Sequence, residues 1–106
     1  MSSEFLKVAE KKEIPPGEMK MVSLANEQVC LINIDDNFYA IGNVCTHQGG
    51  PLNEGICDGY EIECPWHLAK FDIRTGNVIS PPAERSVPSY DLRMEGDNIL
   101  IKKRSG

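Results

Sequence analysis

A chain of 106 residues, 25% of them charged and 41% hydrophobic, has the make-up of one small globular domain. Its net charge of −5 argues against a nucleic-acid ligand, whose phosphates require a basic surface. No stretch approaches the roughly 18–20 apolar residues of a membrane helix, and Met1 to Glu18 lacks the apolar centre of a signal peptide, so a soluble, cytoplasmic monomer away from membranes is expected.

Taken in order, the chain reads as short strands divided by turns. Phe5 to Ala9 is a first strand, ended by Pro15-Pro16-Gly17, and Met19 to Leu24 and Gln28 to Ile34 follow. In the third strand Val29 and Leu31 alternate with Cys30, Ile32 and Ile34, so both faces are apolar, as in a strand buried on two sides. Asp35-Asp36-Asn37 turns the chain into Phe38–Ile41. Tyr60 to Glu63 and Phe71 to Ile73 form a further pair, and Arg74-Thr75-Gly76-Asn77 reads as a hairpin turn before Val78-Ile79. Glu61 and Glu63 alternate on a solvated face. Tyr90, Leu92 and Met94 alternate with charged residues, and Gly96-Asp97-Asn98 leads into Ile99–Ile101. The basic run Lys102-Lys103-Arg104 is the solvated end of that strand. No long helix is expected. Two segments interrupt the rhythm, Asn43 to Gly59 and the proline-rich Ser80 to Pro88. Both are too long for simple hairpin turns, and loops of this kind tend to carry function.

The first of them begins a pattern of metal ligands. Cys45-Thr46-His47 and Cys64-Pro65-Trp66-His67 stand sixteen residues apart and contain both histidines of the chain. Random placement of the same residue types gives this order and spacing roughly once in 10⁴ sequences. Each half offers one soft thiolate and one imidazole, donors that suit Zn²⁺ and iron–sulfur clusters alike. Cys-then-His, twice, lets two facing loops give both sulfurs to one metal and both imidazoles to another. A zinc finger groups like ligands together, yet a structural zinc module that binds another protein stays open at this point. A mononuclear-iron oxygenase does not: it needs two further histidines, and the chain has none.

With its boxes reading CTHQGGPL and CPWHLAKFD, the sequence resembles a Rieske-type 2Fe–2S ferredoxin, similar to the ferredoxin components of bacterial aromatic-ring dioxygenase systems. The resemblance covers the whole chain and implies an all-β fold, an antiparallel β-sandwich or incomplete barrel. It implies one Rieske domain over residues 1–106, with a small cluster-binding subdomain at approximately residues 43–80. Two ligand loops and a proline-rich covering loop, Pro81-Pro82 included, would enclose one 2Fe–2S cluster held by Cys45, His47, Cys64 and His67. The implied function is one-electron transfer without catalysis of its own, from an NAD(P)H-dependent flavin reductase to a terminal acceptor, a Rieske oxygenase or other redox enzyme. The alternative partner arrangement is a small Rieske subunit of a larger, nitrite reductase-like enzyme. Gly49 and Gly50 would let backbone N–H groups approach the cluster, Pro51 and Pro65 would stiffen the loops, and Leu52, Trp66 and Leu68 would form an apolar cover. Departures from the respiratory members of the family are informative. Gly50 and Trp66 stand where those carry a disulfide, and Ala69 and Phe71 stand where those carry a hydrogen-bonding serine and tyrosine. A potential low in the Rieske range of about −150 to +300 mV is expected. Cys30 and Cys57 fall outside the boxes and are read as packing residues.

Overall fold

A computed structural model gives the fold over residues 5–46, 49–66, 68–80 and 85–104. Among them run β1 (Leu6–Glu10), β2 (Met19–Leu24), β3 (Glu27–Ile34), β4 (Asn37–Gly42), β5 (Ile56–Asp58), β6 (Glu61–Glu63), β7 (Lys70–Asp72), β8 (Val78–Ser80), β9 (Tyr90–Glu95) and β10 (Asn98–Lys103). Short 3₁₀ turns at Lys11–Glu13 and Leu52–Glu54 are the only helical pieces described. The strands make three antiparallel sheets, ordered β1-β10-β9, β2-β3-β4 and β5-β6-β7-β8, and none closes into a barrel. No helix among the described residues is long and apolar enough to cross a membrane.

The tight hairpins follow from local chemistry. Ala25-Asn26 and Asp35-Asp36 link β2 to β3 and β3 to β4 with positive φ throughout (51° and 67°, 53° and 71°), the handedness that two-residue loops need to match strand twist. Asn33, buried under the second turn, secures it from both ends of its amide. Its oxygen accepts the Asp36 N–H at 2.7 Å, and its nitrogen donates to the Ile14 carbonyl at 2.7 Å. The last hairpin pairs Glu95 with Asn98, so Asn98 opens β10 rather than closing the turn, and Gly96 supplies the positive φ of 61°.

β3 is the centre of the molecule. Its apolar residues point both ways, as their alternation predicts, and each face meets a different core. Val29 and Leu31 pack with Ala9, Val22, Leu24, Ile99 and Ile101 in the core of the base. Cys30 and Ile32 pack with Leu52, Ile62, Phe71 and Ile73 in a second core that also holds Cys45 and Cys64. Val29, Cys30, Leu31 and Ile32 are all fully buried. Each large side chain so buried contributes roughly 1.5–3 kcal/mol. Sheet β2-β3-β4 is also tied to the sheet β1-β10-β9 through Glu27, which accepts the Tyr90 hydroxyl at 2.7 Å and the Lys103 ammonium at 2.8 Å.

Burial pushes the Cys30 thiol up to about 12, with the nearby Cys57 adding to the rise. The folded state thus keeps this proton to higher pH than the unfolded chain, whose thiol ionises near 9. The stabilisation is complete below about pH 9 and is lost as pH rises toward 12, at up to about 1.4 kcal/mol per pH unit. Denaturant titrations from pH 8 to 11 should therefore show falling stability, and Cys30→Ala should lose one proton's worth of that slope.

Two further details depart from the sequence reading, beyond shifts of a residue or two at other strand ends. The segment 56–58 is a strand, β5, which pairs with β6 inside what reads as loop. Ile73 has left β7 and begins the turn, because Asp72 closes it by accepting the Gly76 N–H and donating its own N–H to Asn77. β5 lies so close to β6 that a Cβ at Gly55 would stand 1.9 Å from the Glu63 carbonyl oxygen. Gly55→Ala should cost about 3 kcal/mol and lower the melting temperature by more than about 10 °C, read by circular dichroism.

Candidate metal centre

The first ligand loop leaves β4 at Gly42 and folds back on itself around Cys45. The Cys45 N–H donates to the Gly50 carbonyl at 2.9 Å, and the Gly49 N–H donates to the Cys45 carbonyl at 2.8 Å. Gly49 turns there with φ +80°. Asn43 anchors the loop. It is buried, its Oδ1 accepts the Asn53 N–H at 2.8 Å, its Nδ2 donates to Asn53 Oδ1 at 2.9 Å, and its carbonyl accepts the Leu52 N–H at 2.8 Å. Sequence reasoning did not single out Asn43. The available signal was a polar residue placed at the end of an apolar strand with another Asn ten positions on.

The second loop is the narrow connection from β6 to β7. The Cys64 N–H donates to the Ala69 carbonyl at 2.7 Å and closes its neck. Within it the Trp66 N–H donates to Cys64 Sγ at 3.4 Å. The proline-rich segment is tied to the first loop by the Thr46 hydroxyl, which donates to the Arg85 carbonyl at 2.6 Å. Its far end is held by the Val87 N–H on the Gly76 carbonyl at 2.9 Å. Pro81-Pro82, His47 and His67 lie outside the described residues.

The two loops bring Cys45 and Cys64 together in one core, both buried and both free thiols. Burial pushes the Cys64 thiol up to about 11; the Trp66 N–H opposes the shift, and the adjacent Cys45 thiol adds to it. A thiol raised in this way gives up its proton more readily to a bound cation than to water. Loop backbone makes room for one sulfur: a Cβ on Gly50 would lie 2.7 Å from Cys64 Sγ. Paired soft donors, a backbone N–H aimed at one sulfur and a glycine beside it fit a thiolate-ligated iron–sulfur group. The apolar cover is less complete than expected. Leu52 is fully buried, but Trp66 is 49% and Leu68 60% exposed. Cys57 is half-buried on β5, where its thiol donates to the Gly59 carbonyl at 3.7 Å, and burial raises its pKa.

Open antiparallel sheets that carry two joined loops, with one buried cysteine from each, define a small β protein built to hold a thiolate-bound metal group. The chain belongs to the Rieske [2Fe-2S] domain family, whose model matches residues 4–91. It is 40% identical over 98 residues to the biphenyl dioxygenase ferredoxin subunit of Pseudomonas sp. (strain KKS102), across 92% of this chain and 90% of that one. Its fold matches the solved ferredoxin of carbazole 1,9a-dioxygenase from Nocardioides aromaticivorans IC177 with a TM-score of 0.91 and 32% identity, over 96% of this chain and all of that one. A ferredoxin solved in complex with the reduced oxygenase of carbazole 1,9a-dioxygenase matches with a TM-score of 0.89 and 27% identity, over 99% of this chain and 100% of that one. The protein is thus an electron carrier with a single Rieske-type 2Fe–2S cluster and not a catalytic subunit. The zinc-module reading gives way to the iron–sulfur one.

Proposed function

We propose that this chain carries single electrons in the cytoplasm from an NAD(P)H-dependent flavin reductase to a Rieske oxygenase. Its cluster is held by Cys45, His47, Cys64 and His67, within one domain over residues 1–106 whose cluster-binding part is approximately residues 43–80. The observation that carries this reading is the meeting of Cys45 and Cys64, one from each sequence box, in one buried core. When bound, the cluster supplies a one-electron acceptor and donor. The loops supply the rest: their described segments keep the two sulfurs dry.

The rim around those segments is apolar. Val44, Trp66 and Leu68 are all exposed, and the space above Gly49 opens toward the Val44 side chain at 3.8 Å. Leu68 is exposed and also held at φ +63°, a left-handed conformation that disfavours side chains by roughly 1–2 kcal/mol. A leucine kept under both penalties fits a contact made with a partner. Leu68→Asp should leave the visible spectrum intact and slow electron delivery to the oxygenase about tenfold or more, measured by stopped flow.

The direct test is purification followed by reconstitution. Two irons and two acid-labile sulfides per chain are expected. The EPR g-average should lie below that of all-cysteine clusters, because imidazole donates less charge than thiolate. Turnover of a Rieske oxygenase should depend on this chain together with a flavin reductase. A colourless protein with one zinc, or a loaded protein that no oxygenase accepts as donor, would overturn the proposal.

A further inference from the structure

Gly50 and Trp66 meet across the two ligand loops. A Cβ built on Gly50 would stand 2.7 Å from Cys64 Sγ and 3.1 Å from both Cγ and Cδ2 of Trp66. The open side of Gly50 therefore faces the sulfur and the indole together. The ring of the second loop rests on the backbone of the first, next to the sulfur that its own N–H approaches at 3.4 Å. Cys64 is fully buried while Trp66 is half-exposed, so one side of the indole lies inward and the other lies in water. The first loop offers only glycine backbone at this point, and the second loop is closed by one hydrogen bond at its neck, from Cys64 to Ala69.

We propose that Trp66 is a positioning residue whose indole, seated on the Gly50 backbone, clamps the two ligand loops together and keeps water off the Cys64 sulfur. The proposal rests on Cys64 being a ligand. A side chain too small to reach Gly50 frees the loops to part and admits water to the sulfur. Water that donates a hydrogen bond there stabilises the more negative, reduced state more than the oxidised one. Two results follow from the same opening: faster loss of the cluster and a higher potential.

The test uses the loaded protein and its Trp66→Ala and Trp66→Phe variants. Cluster loss to a chelator is followed by visible absorbance, the potential by film voltammetry, and global stability by thermal melting. Trp66→Ala should lose its cluster about tenfold faster and shift to higher potential, and Trp66→Phe, which keeps a flat ring over Gly50, should restore both. If Trp66→Ala holds no cluster at all, Trp66→Leu carries the same comparison. A melting-point change with an unmoved potential, or a phenylalanine variant that fails like alanine, would overturn the clamp. Failure of the ligand reading looks different: Cys64→Ala would then keep a Rieske spectrum.

Discussion

Cys64→Ala protein should emerge from purification without visible colour and with less than one iron per chain. Cys64 sits fully buried at the neck of the second loop, with the Trp66 N–H on its sulfur, Gly50 beside it and the Cys45 thiol adjacent. On the proposed ligand set, the substitution removes one of four ligands and would leave an iron that only solvent could complete, at a position where the sulfur is fully buried. The same outcome is expected for Cys45→Ala, His47→Ala and His67→Ala. The contrast lies in the other two cysteines. Cys57→Ala alters a half-buried position whose thiol bonds only to the Gly59 carbonyl, and its spectrum should match the parent. Cys30→Ala opens a cavity on the inner face of β3 and should cost about 1–2 kcal/mol while leaving the spectrum unchanged. Iron and sulfide content with visible circular dichroism decides the matter. A Rieske spectrum retained in His67→Ala, or lost in Cys57→Ala, would show the ligands to be wrongly assigned.

The second large effect concerns the potential. Ala69 and Phe71 are both fully buried beside the second loop, Ala69 at its neck and Phe71 paired with Ile62 across β6 and β7. Neither can donate a side-chain hydrogen bond. A hydroxyl at either place that reaches a sulfur stabilises the reduced state more, since that state carries one extra negative charge. Hydrogen bonds to charged groups contribute roughly 1.5–3 kcal/mol, and a difference of about 1–2 kcal/mol between redox states equals roughly 40–90 mV. Ala69→Ser and Phe71→Tyr should each raise the potential by that order, and the pair by more than either. Phe71→Tyr should also lower the melting temperature further than Ala69→Ser. Its ring is packed among Ile62, Ile73 and Val78, and a hydroxyl without an acceptor is expensive there. Three variants that hold cluster normally and share the parent's potential would show that solvent exposure or overall charge, not these missing hydroxyls, sets the potential.

Particular residues show why some of this architecture was readable from sequence and some was not. The alternation in β3 survives because both of its faces are buried, and burial is what periodicity reports. The turns at Asp35-Asp36 and Gly96 were legible because positive φ selects few residue types. β5 escaped notice: three residues with an exposed isoleucine at 56 carry no burial signal, and the strand exists only because β6 lies alongside it. The cysteine half of the site was legible from its spacing. Its support was not. Asn43 works through contacts ten and fifteen residues away, and the tether from Thr46 to Arg85 spans thirty-nine. Trp66 looked like plain cover because composition gives its apolarity but not that half of its ring faces outward.

The two-faced β3 bears on the order of events when the protein is made. The core on its Val29 and Leu31 side is drawn from strands β1, β2, β3, β4, β9 and β10 with Ile14, and it includes neither cysteine of the ligand boxes. Its burial free energy is available to a newly made chain before any iron arrives. The opposite core does include Cys45 and Cys64, and it is completed by the loops that surround them. The base can therefore settle without the cluster, and the ligand loops are the part of the chain whose packing the cluster would complete.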